Sequence, residues 1–395
     1  MGNSRRVAAF AVARWLMTKD FPATLLPEGS DRAFVQDLVY TVIRRLRPLR
    51  RVLGTLVKTW PKGELEALLY VGAAQILYMP DVPDFAAVNE TVDAAKACGN
   101  PSVARVVNGV LRNLIRRREE LEALVVSAPV EERESYPGAL YRRWVSRFGA
   151  ENAEKLAVWH NQPAETFLAY PDGAYVTLER GKKVSDVEGY AEGRFIVQNP
   201  ATQLAVSSMD AHEGLEVLDA CAAPGGKTVQ LAWKGAKVTA CEVNPRRRQT
   251  LVENLERLGL AEKVEVVESF EALKGRTFDR VLVDAPCSNT GVLRRRPDAR
   301  WNWSVEKLAQ LVKLQAEILD AAVAFVKPGG LLVYSTCSNE FDENEGQTQS
   351  LLARHPELEK IAVAESCPFE ESGSRGWDGA YAVTLKRISD QTTNT

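Results

Sequence analysis

From Glu216 onward the chain alternates between two periods. Short apolar runs at Glu216–Ala220, Val238–Glu242, Val264–Val267, Arg280–Val283 and Leu331–Ser335 read as strands. Helical stretches separate the first three, and residues 305–326 form a long one before the fifth. Strands that are each followed by a helix build a parallel sheet covered on both faces. Ligands on such sheets bind beyond the carboxyl ends of the strands, so the residues found there are the candidates for chemistry.

Residues 1–127 carry a different pattern, helix after helix. Apolar residues three or four apart mark one helix through Phe34, Leu38, Val39, Val42 and Ile43, with Ser30 as its cap. A second runs through Leu65, Leu68, Leu69, Gly72 and Ile76 and stops at Pro80–Pro83. A third starts at Asn100-Pro101 and runs through Val103, Val106, Val107, Val110, Leu111 and Leu114. These stripes are the core of a helical bundle. Arg5-Arg6 ahead of Val7–Met17 has the outline of a signal peptide, but Arg14 interrupts it. The spacing Val7, Phe10, Ala11, Arg14 fits an amphipathic helix better, and no run approaches the length of a membrane span. Residues 128–195 read as a connector with a small mixed subdomain, with helix around 138–160 and strands at Thr166–Tyr170 and Tyr175–Leu178. Residues 196–395 form the α/β domain.

Charge divides along the same lines. Fifty Lys+Arg against 52 Asp+Glu leave a net −2 over 395 residues, which excludes a protein that coats nucleic acid by charge alone. Residues 1–150 nevertheless carry +6 and residues 151–395 carry −8, and residues 1–60 hold 11 basic against 4 acidic side chains. Such a front is either a solvated helix surface or a docking face for an anionic partner. Arg44, Arg45, Arg47, Arg50 and Arg51 exceed what a helical core requires, and phosphate contact is the expectation for them. The six cysteines (98, 221, 241, 287, 337, 367) form no CxxC pair, and only three histidines accompany them. Neither a metal site nor a disulfide framework is expected, and the reading is a reduced, cytoplasmic chain.

The first strand of the α/β region ends in Asp219-Ala220-Cys221-Ala222-Ala223-Pro224-Gly225-Gly226-Lys227-Thr228. Small residues let the backbone approach a ligand, and the helix that follows offers unpaired N–H groups to an anionic part of it. The second strand ends at Glu242, whose carboxylate can accept both hydroxyls of a ribose. Neither GxGxxG nor GxxxxGK[ST] is present, which disfavours NAD and P-loop nucleotides. S-adenosyl-L-methionine fits better, because an acidic pocket suits its sulfonium. The fourth strand runs into Asp284-Ala285-Pro286-Cys287 and the fifth into Tyr334-Ser335-Thr336-Cys337. A single cysteine is usually a small buried hydrophobe. Two at matching strand ends beside such a loop point to methylation of a pyrimidine ring carbon. A thiolate adding to carbon 6 of cytosine makes carbon 5 nucleophilic, and a base must later remove the carbon 5 proton. Asp284 can hold the N3 side of the ring, and Lys227 or nearby arginines can favour the thiolate. The target base must be unpaired or flipped out. The residues themselves leave open which cysteine attacks.

The blocks LDACAAPGGKT (218–228), DAPCSNTGVLRRRPDARW (284–301) and KPGGLLVYSTCS (327–338) resemble the RNA cytosine-5 methyltransferase superfamily, specifically its Sun/Fmu/RsmB-type bacterial small-subunit rRNA methylases. AVNETVDAAK (87–96) and RVVNGVLRNL (105–114) resemble a NusB-like helical RNA-binding domain. The resemblance implies a class I, Rossmann-like methyltransferase domain behind an all-α NusB-like domain. It implies Cys337 as nucleophile, with Cys287 assisting product release and Asp284 lying between cofactor and base. Cys221, Ala222, Ala223, Pro224, Gly225, Gly226, Lys227 and Glu242 would hold S-adenosyl-L-methionine, with a third-strand contact near Glu268. Arg294, Arg295 and Arg296 join Arg44, Arg45 and Arg47 as expected RNA contacts. The implied partner is 16S rRNA or a small-subunit assembly intermediate, met by a monomer that uses neither DNA nor a membrane. A tRNA cytosine methylase on the same scaffold and a non-catalytic RNA-binding assembly protein are the competing readings. Three features depart from the usual pattern. Gln198-Asn199-Pro200 replaces Gln-Asp-Pro, and Asp378-Gly379-Ala380-Tyr381 replaces Asp-Gly-Phe-Phe. The connector is short and lacks the common Arg-hydrophobic-Asn strand.

Overall fold

Leu68 to Gln75 is buried without interruption, and a helix apolar around its whole circumference has to be enclosed by others. In the computed structural model, which describes residues 4–26, 31–98, 101–179, 181–369 and 377–389, that helix is the centre of a bundle. The chain from Ser4 to Trp159 is helical: α1 (Ser4–Thr18), α2 (Arg32–Arg44), α3 (Leu46–Leu56), α4 (Glu64–Tyr78), α5 (Asp84–Lys96), α6 (Pro101–Arg116), α7 (Arg118–Val126), α8 (Val130–Arg133), α9 (Gly138–Phe148) and α10 (Ala150–Trp159). Around α4 pack α1, α2, α5 and α6. Glu64 and Glu66 in its first turn favour the positive end of the helix dipole. Gly72 lets α6 come close, since a Cβ there would run into the isobutyl group of Leu111. The cap residues expected at Ser30 and Asn100 lie outside the described residues. In α1 the buried face is Ala8, Ala11, Val12 and Trp15, and Phe10 is 62% exposed, so the expected Val7–Phe10–Ala11 face is turned by about one position.

Two compact units divide the chain: residues 1–162 with 293–303, and residues 163–292 with 304–395. Within these units the stretch 128–195 is divided at residue 162. Residues 128–162 join the bundle through polar anchors that a hydrophobic pattern does not display. Glu134 pairs with Arg45 at 2.9 Å, and the Ser135 hydroxyl accepts the Arg47 N–H at 3.0 Å. The excursion 293–303 is bound in the same way. Trp301 Nε1 donates to the Ile43 carbonyl, Asn302 Nδ2 to that of Lys19 and Arg300 Nη1 to Asn161 Oδ1, each at 2.9 Å.

In the second unit β1 (Phe167–Ala169), β2 (Tyr175–Thr177) and β3 (Ile196–Val197) form a small antiparallel sheet in the order β2-β1-β3. The chain continues through α11 (Gln203–Ser208), β4 (Glu216–Asp219), α12 (Gly226–Trp233), β5 (Lys237–Cys241), α13 (Pro245–Arg257), β6 (Val264–Val267), β7 (Phe278–Asp284), α14 (Val305–Val323), β8 (Val326–Thr336), α15 (Glu345–Arg354), β9 (Leu358–Ser366) and β10 (Ala380–Arg387). The sheet order is β6-β5-β4-β7-β8-β10-β9. The first five are the expected parallel strands, and the topology is Rossmann-like. The order reverses between β4 and β7, which opens a crevice at their carboxyl ends. β9 and β10 add an antiparallel edge that the sequence reading lacks. β9 is exposed from Glu359 to Val363, the apolar Ile361 and Val363 included, so no alternation of buried apolar and exposed polar residues announces it. Among the described residues, no helix is long and apolar enough to cross a membrane.

The contact between Gly72 and Leu111 sets the α4–α6 spacing. Gly72→Val should destabilise the protein by about 1–3 kcal/mol through overpacking. Leu111→Ala should cost about 2–5 kcal/mol through a cavity. Because the two changes compensate in volume, chemical denaturation of the double variant should show a loss smaller than the sum of the singles.

Candidate active site

Strand ends deliver the side chains. β4 stops at Asp219 and the chain turns through Cys221–Gly225 into α12. The turn is held by Ala222 N–H on the Cys241 carbonyl at 3.0 Å and by Gly225 N–H on the Ala222 carbonyl at 2.8 Å. Gly225 has φ +109°, a conformation L side chains rarely adopt, and a Cβ on it would meet Leu251 at 2.7 Å. A Cβ on Gly226 would stand 2.9 Å from Gln198 Nε2. The strand end is tied to the helix start by Thr228 Oγ1 donating to Asp219 Oδ2 at 2.7 Å. Asp219 Oδ1 is sealed from solvent and meets no donor at hydrogen-bonding geometry. Burial pushes the Asp219 carboxyl up to about 6, and the Thr228 hydrogen bond offsets this only in part.

Glu242, past the end of β5, is only 4% exposed and accepts the Asn244 N–H at 2.8 Å. The Cys221 thiol is pushed far up, first by burial and then by the charges of Asp219, Asp284 and Glu242. Those carboxylates make the loop an acidic cup, and the orphaned oxygen and the glycine cradle suit a cationic ligand such as the expected sulfonium. Glu268 lies just past β6, but its carboxylate is 74% exposed and its partner is Arg248 at 3.5 Å.

β7 ends at Asp284 and β8 at Thr336, in parallel register with Asp284 opposite Ser335. Asp284 is bridged on both oxygens, by Lys227 Nζ at 2.6 Å and by Ser335 Oγ at 2.9 Å. Burial alone would lower the Lys227 pKa, but Asp284, through charge and hydrogen bond, raises it. Beyond these strand ends Cys287 Sγ and Cys337 Sγ stand 3.3 Å apart, and Cys337 Sγ lies 3.4 Å from Asn289 Oδ1. The hydrogen bond with Cys337 and burial push the Cys287 thiol well up. A backbone thread closes the back of the loops: Gly291 N–H donates to the Cys337 carbonyl at 2.9 Å and Gly379 N–H to the Gly291 carbonyl at 2.8 Å. A Cβ on Gly291 would lie 2.6 Å from the Gly379 carbonyl oxygen, so neither neighbour has room to retreat. Both sequence departures are accommodated here. Asn199 Oδ1 accepts from Ala201 and Asp378 N–H at 2.9 and 3.2 Å, as an aspartate would. The Tyr381 hydroxyl meets Thr348 Oγ1 at 3.0 Å.

The expected RNA arginines are a different matter. Arg44 is half-buried, donates to the Arg294 carbonyl at 2.7 Å and is lowered to about 10 by desolvation and by the like charge of Arg300. Arg45 is paired with Glu134, Arg47 with Glu132 at 3.6 Å, and Arg51 with Glu132 at 2.9 Å. Arg50 stacks on Trp60 with 4.7 Å to the ring centroid. Arg294 is buried over Trp159, Arg295 carries a buried Nη2, and Arg296 pairs with Asp298 at 3.0 Å. Each of these guanidinium groups already has a partner within the protein, with Arg50 and Arg51 at its surface. Arginines with free faces lie instead on α6. Arg105, Arg112 and Arg116 are exposed and have no carboxylate partner among the described residues. Their spacing on a helix that buries Ala104, Val107, Leu111 and Leu114 was the available signal.

The family model for 16S rRNA methyltransferase RsmB/F matches residues 206–376, and that for the NusB family matches residues 2–116. Ribosomal RNA small subunit methyltransferase B of Salmonella arizonae is 33% identical, with 98% of this chain and 99% of that protein covered. The protein of the same name from Vibrio cholerae is 34% identical over 90% of each. The chain belongs to the RsmB/F methyltransferase family. The crystal structure of PH0851 has the same fold over 97% of this chain and 98% of its own, at a TM-score of 0.77 and 21% identity. A methyltransferase homolog from Pyrococcus horikoshii matches 66% of this chain and 98% of its own at a TM-score of 0.57 and 21% identity. Family membership makes the chain an S-adenosylmethionine-dependent rRNA methyltransferase.

The buried Asp219 gives a pH signature. Its folded pKa of about 6 exceeds the ordinary 3.8, so the folded state binds the proton more tightly than the unfolded chain. Its contribution is therefore greatest in acid and is lost as pH rises from about 4 through about 6. Asp219→Asn removes this titration. Urea unfolding near pH 4 and near pH 7 should show the variant losing less stability over the interval than the parent, by on the order of 2–3 kcal/mol.

Proposed function

We propose that the chain transfers a methyl group from S-adenosyl-L-methionine to carbon 5 of a cytosine in 16S rRNA, through a covalent bond between Cys337 and carbon 6 of the ring. The observation that carries this reading is the pair of thiols 3.3 Å apart at the ends of adjacent strands, beside the Lys227–Asp284 ion pair. S-adenosyl-L-methionine, when bound, supplies an electrophilic methyl group on a sulfonium. The loop Cys221–Lys227 cradles it, with Glu242 for the ribose hydroxyls, and the charges of Asp219, Glu242 and Asp284 favour the cation over neutral competitors. Asp284 and Lys227 present an acceptor and a donor side by side, which suits the polar edge of an extruded cytosine.

Cys337 Sγ adds to carbon 6, and the electron pair of the ring double bond makes carbon 5 the nucleophile for the methyl group. Removal of the carbon 5 proton by a base then returns electrons to the ring and breaks the bond between carbon 6 and sulfur. Cys287 is the nearest group able to exchange a proton with Cys337, which suits it to the release step. The TCS block separates this arrangement from DNA cytosine methylases, which attack from the PC cysteine. Phosphate recognition falls to the bundle, where α6 presents Arg105, Arg112 and Arg116 without carboxylates to neutralise them.

Cys337→Ala should abolish methyl transfer, because the ring is no longer activated. Cys287→Ala should accumulate a denaturation-resistant protein–RNA adduct on gels. Turnover by the first variant, or no adduct with the second, would overturn the roles assigned. Bisulfite sequencing of rRNA and tRNA from cells lacking the gene identifies the substrate: a lost 16S site supports the reading, and a lost tRNA site replaces it.

Charge reversal of Arg105, Arg112 and Arg116 should weaken RNA binding and lower the slope of log affinity against log salt by about 2–3. An unchanged slope in filter-binding titrations would return these arginines to the role of solvated surface.

A further inference from the structure

Glu343 takes part in none of the steps above, yet it is fully buried beside both cysteine loops. It ends the single helical turn Phe341–Glu343 that follows β8. Its Oε1 accepts the Ser288 N–H at 2.9 Å and Gln315 Nε2 at 3.0 Å. Its Oε2 accepts the hydroxyls of both Ser288 and Ser338. The neighbouring side chains extend the pattern. Gln315 Nε2 also donates to the Pro286 carbonyl at 2.9 Å. Thr336 Oγ1 donates to Asn344 Oδ1 at 2.5 Å, and Asn344 Nδ2 donates to the Ser338 carbonyl at 2.9 Å. The residues on either side of Cys287 (Pro286, Ser288) and of Cys337 (Thr336, Ser338) are thus all bound, while the two thiols meet each other and, from Cys337, Asn289 Oδ1.

We infer that Glu343 is a positioning residue, a clamp that holds the Cys287 and Cys337 loops at reacting distance by accepting four hydrogen bonds from their flanks and from α14. A carboxylate presents acceptors alone on both oxygens; a glutamine would either set its NH2 against the Ser288 N–H and Gln315 Nε2, which only donate, or force the Ser288 and Ser338 hydroxyls to reverse from donor to acceptor. Four donors that converge on one buried side chain tie both loops to a single point, and a network whose members are all satisfied is rigid. Misplacing a reacting group by about 1 Å costs on the order of 100-fold in rate. The clamp lies behind the thiols, so its loss affects the chemical step and not the binding of either substrate. The kinetic part of this inference rests on the cytosine-5 reading, whereas the geometric part does not.

The test is Glu343→Gln in the full chain, with two measurements. The first is kcat and KM for methyl transfer to RNA, where kcat should fall by about 10–100-fold with KM within about twofold of the parent. The second is the rate at which diamide converts the two thiols to a Cys287–Cys337 disulfide. Each sulfur loses its hydrogen to the diazene, which becomes a hydrazine, and peptide mass mapping reads the cross-link. In the parent the thiols are already adjacent, and in the variant the rate should fall at least about tenfold. An unchanged disulfide rate overturns the clamp whatever kcat does. A slowed disulfide together with a parent that methylates no cytosine upholds the clamp and removes the reaction it was proposed to serve. If Glu343→Gln does not fold, the double variant Ser288→Ala/Ser338→Ala removes two of the four bonds and is read by the same measurements.

Discussion

The parallel register of β7 and β8 is the constraint from which the site follows. Val281 lies opposite Leu332 and Asp284 opposite Ser335, so both strands end at the same level on the same edge of the sheet. Cys287 follows Asp284 by three residues and Cys337 follows Ser335 by two, which puts both sulfurs just above that edge. A slip of one residue would exchange the two faces of β8, both of them buried, with Leu332 and Tyr334 in one core and Val333 in the other, so the register is enforced by packing on both sides. The thiol pair is positioned by the same packing that holds the domain together.

Electrostatics at this edge are arranged around an excess of negative charge. Asp219, Glu242 and Asp284 converge there, against two cations, Lys227 on Asp284 and Arg247 at 3.6 Å from Glu242. Burying carboxylates without full compensation is unfavourable, and the raised Asp219 carboxyl registers that cost. A site left in this state gains stability when a cation enters it. The buried Glu343 shows the alternative solution, compensation by neutral donors alone: the Ser288 N–H, the Gln315 amide and the hydroxyls of Ser288 and Ser338.

Much of this was legible in the sequence because short motifs at strand ends depend on local geometry. A tight turn after β4 needs small residues and a glycine at positive φ, and Gly225 supplies that conformation. The apolar stripes of α4 and α6 likewise mark helices wherever they occur. Three other features were not legible, each for a physical reason. The strands β9 and β10 pair antiparallel with an already complete parallel set, and β9 is exposed along most of its length, so burial leaves no pattern in it. Glu343 reads as one acid among several in Phe341-Asp342-Glu343-Asn344-Glu345, and only the folded chain brings it to Ser288, 55 residues away. The excursion 293–303 looks like a basic loop, and nothing local shows that Trp301 and Arg300 seek carbonyls and an amide far back in the chain.

The arginines carry the same lesson about charge. Density along the sequence singled out Arg44–Arg51 and Arg294–Arg296, yet a guanidinium group has five donors and a flat face, and a folded chain can use both internally. Arg44 and Arg300 lie close enough for like-charge repulsion and are held by carbonyls, an amide and the ring of Tyr136. Arginine clustered near glutamates and tryptophans in sequence or in space is therefore poor evidence for nucleic-acid contact. Arginine repeated along the solvent side of an amphipathic helix is better evidence, because the helix period itself keeps those side chains away from the core. On α6 the buried Val107, Leu111 and Leu114 leave Arg105, Arg112 and Arg116 facing solvent. The basic half of the chain thus divides again, into charge that the fold consumes and a smaller remainder that it leaves for a partner.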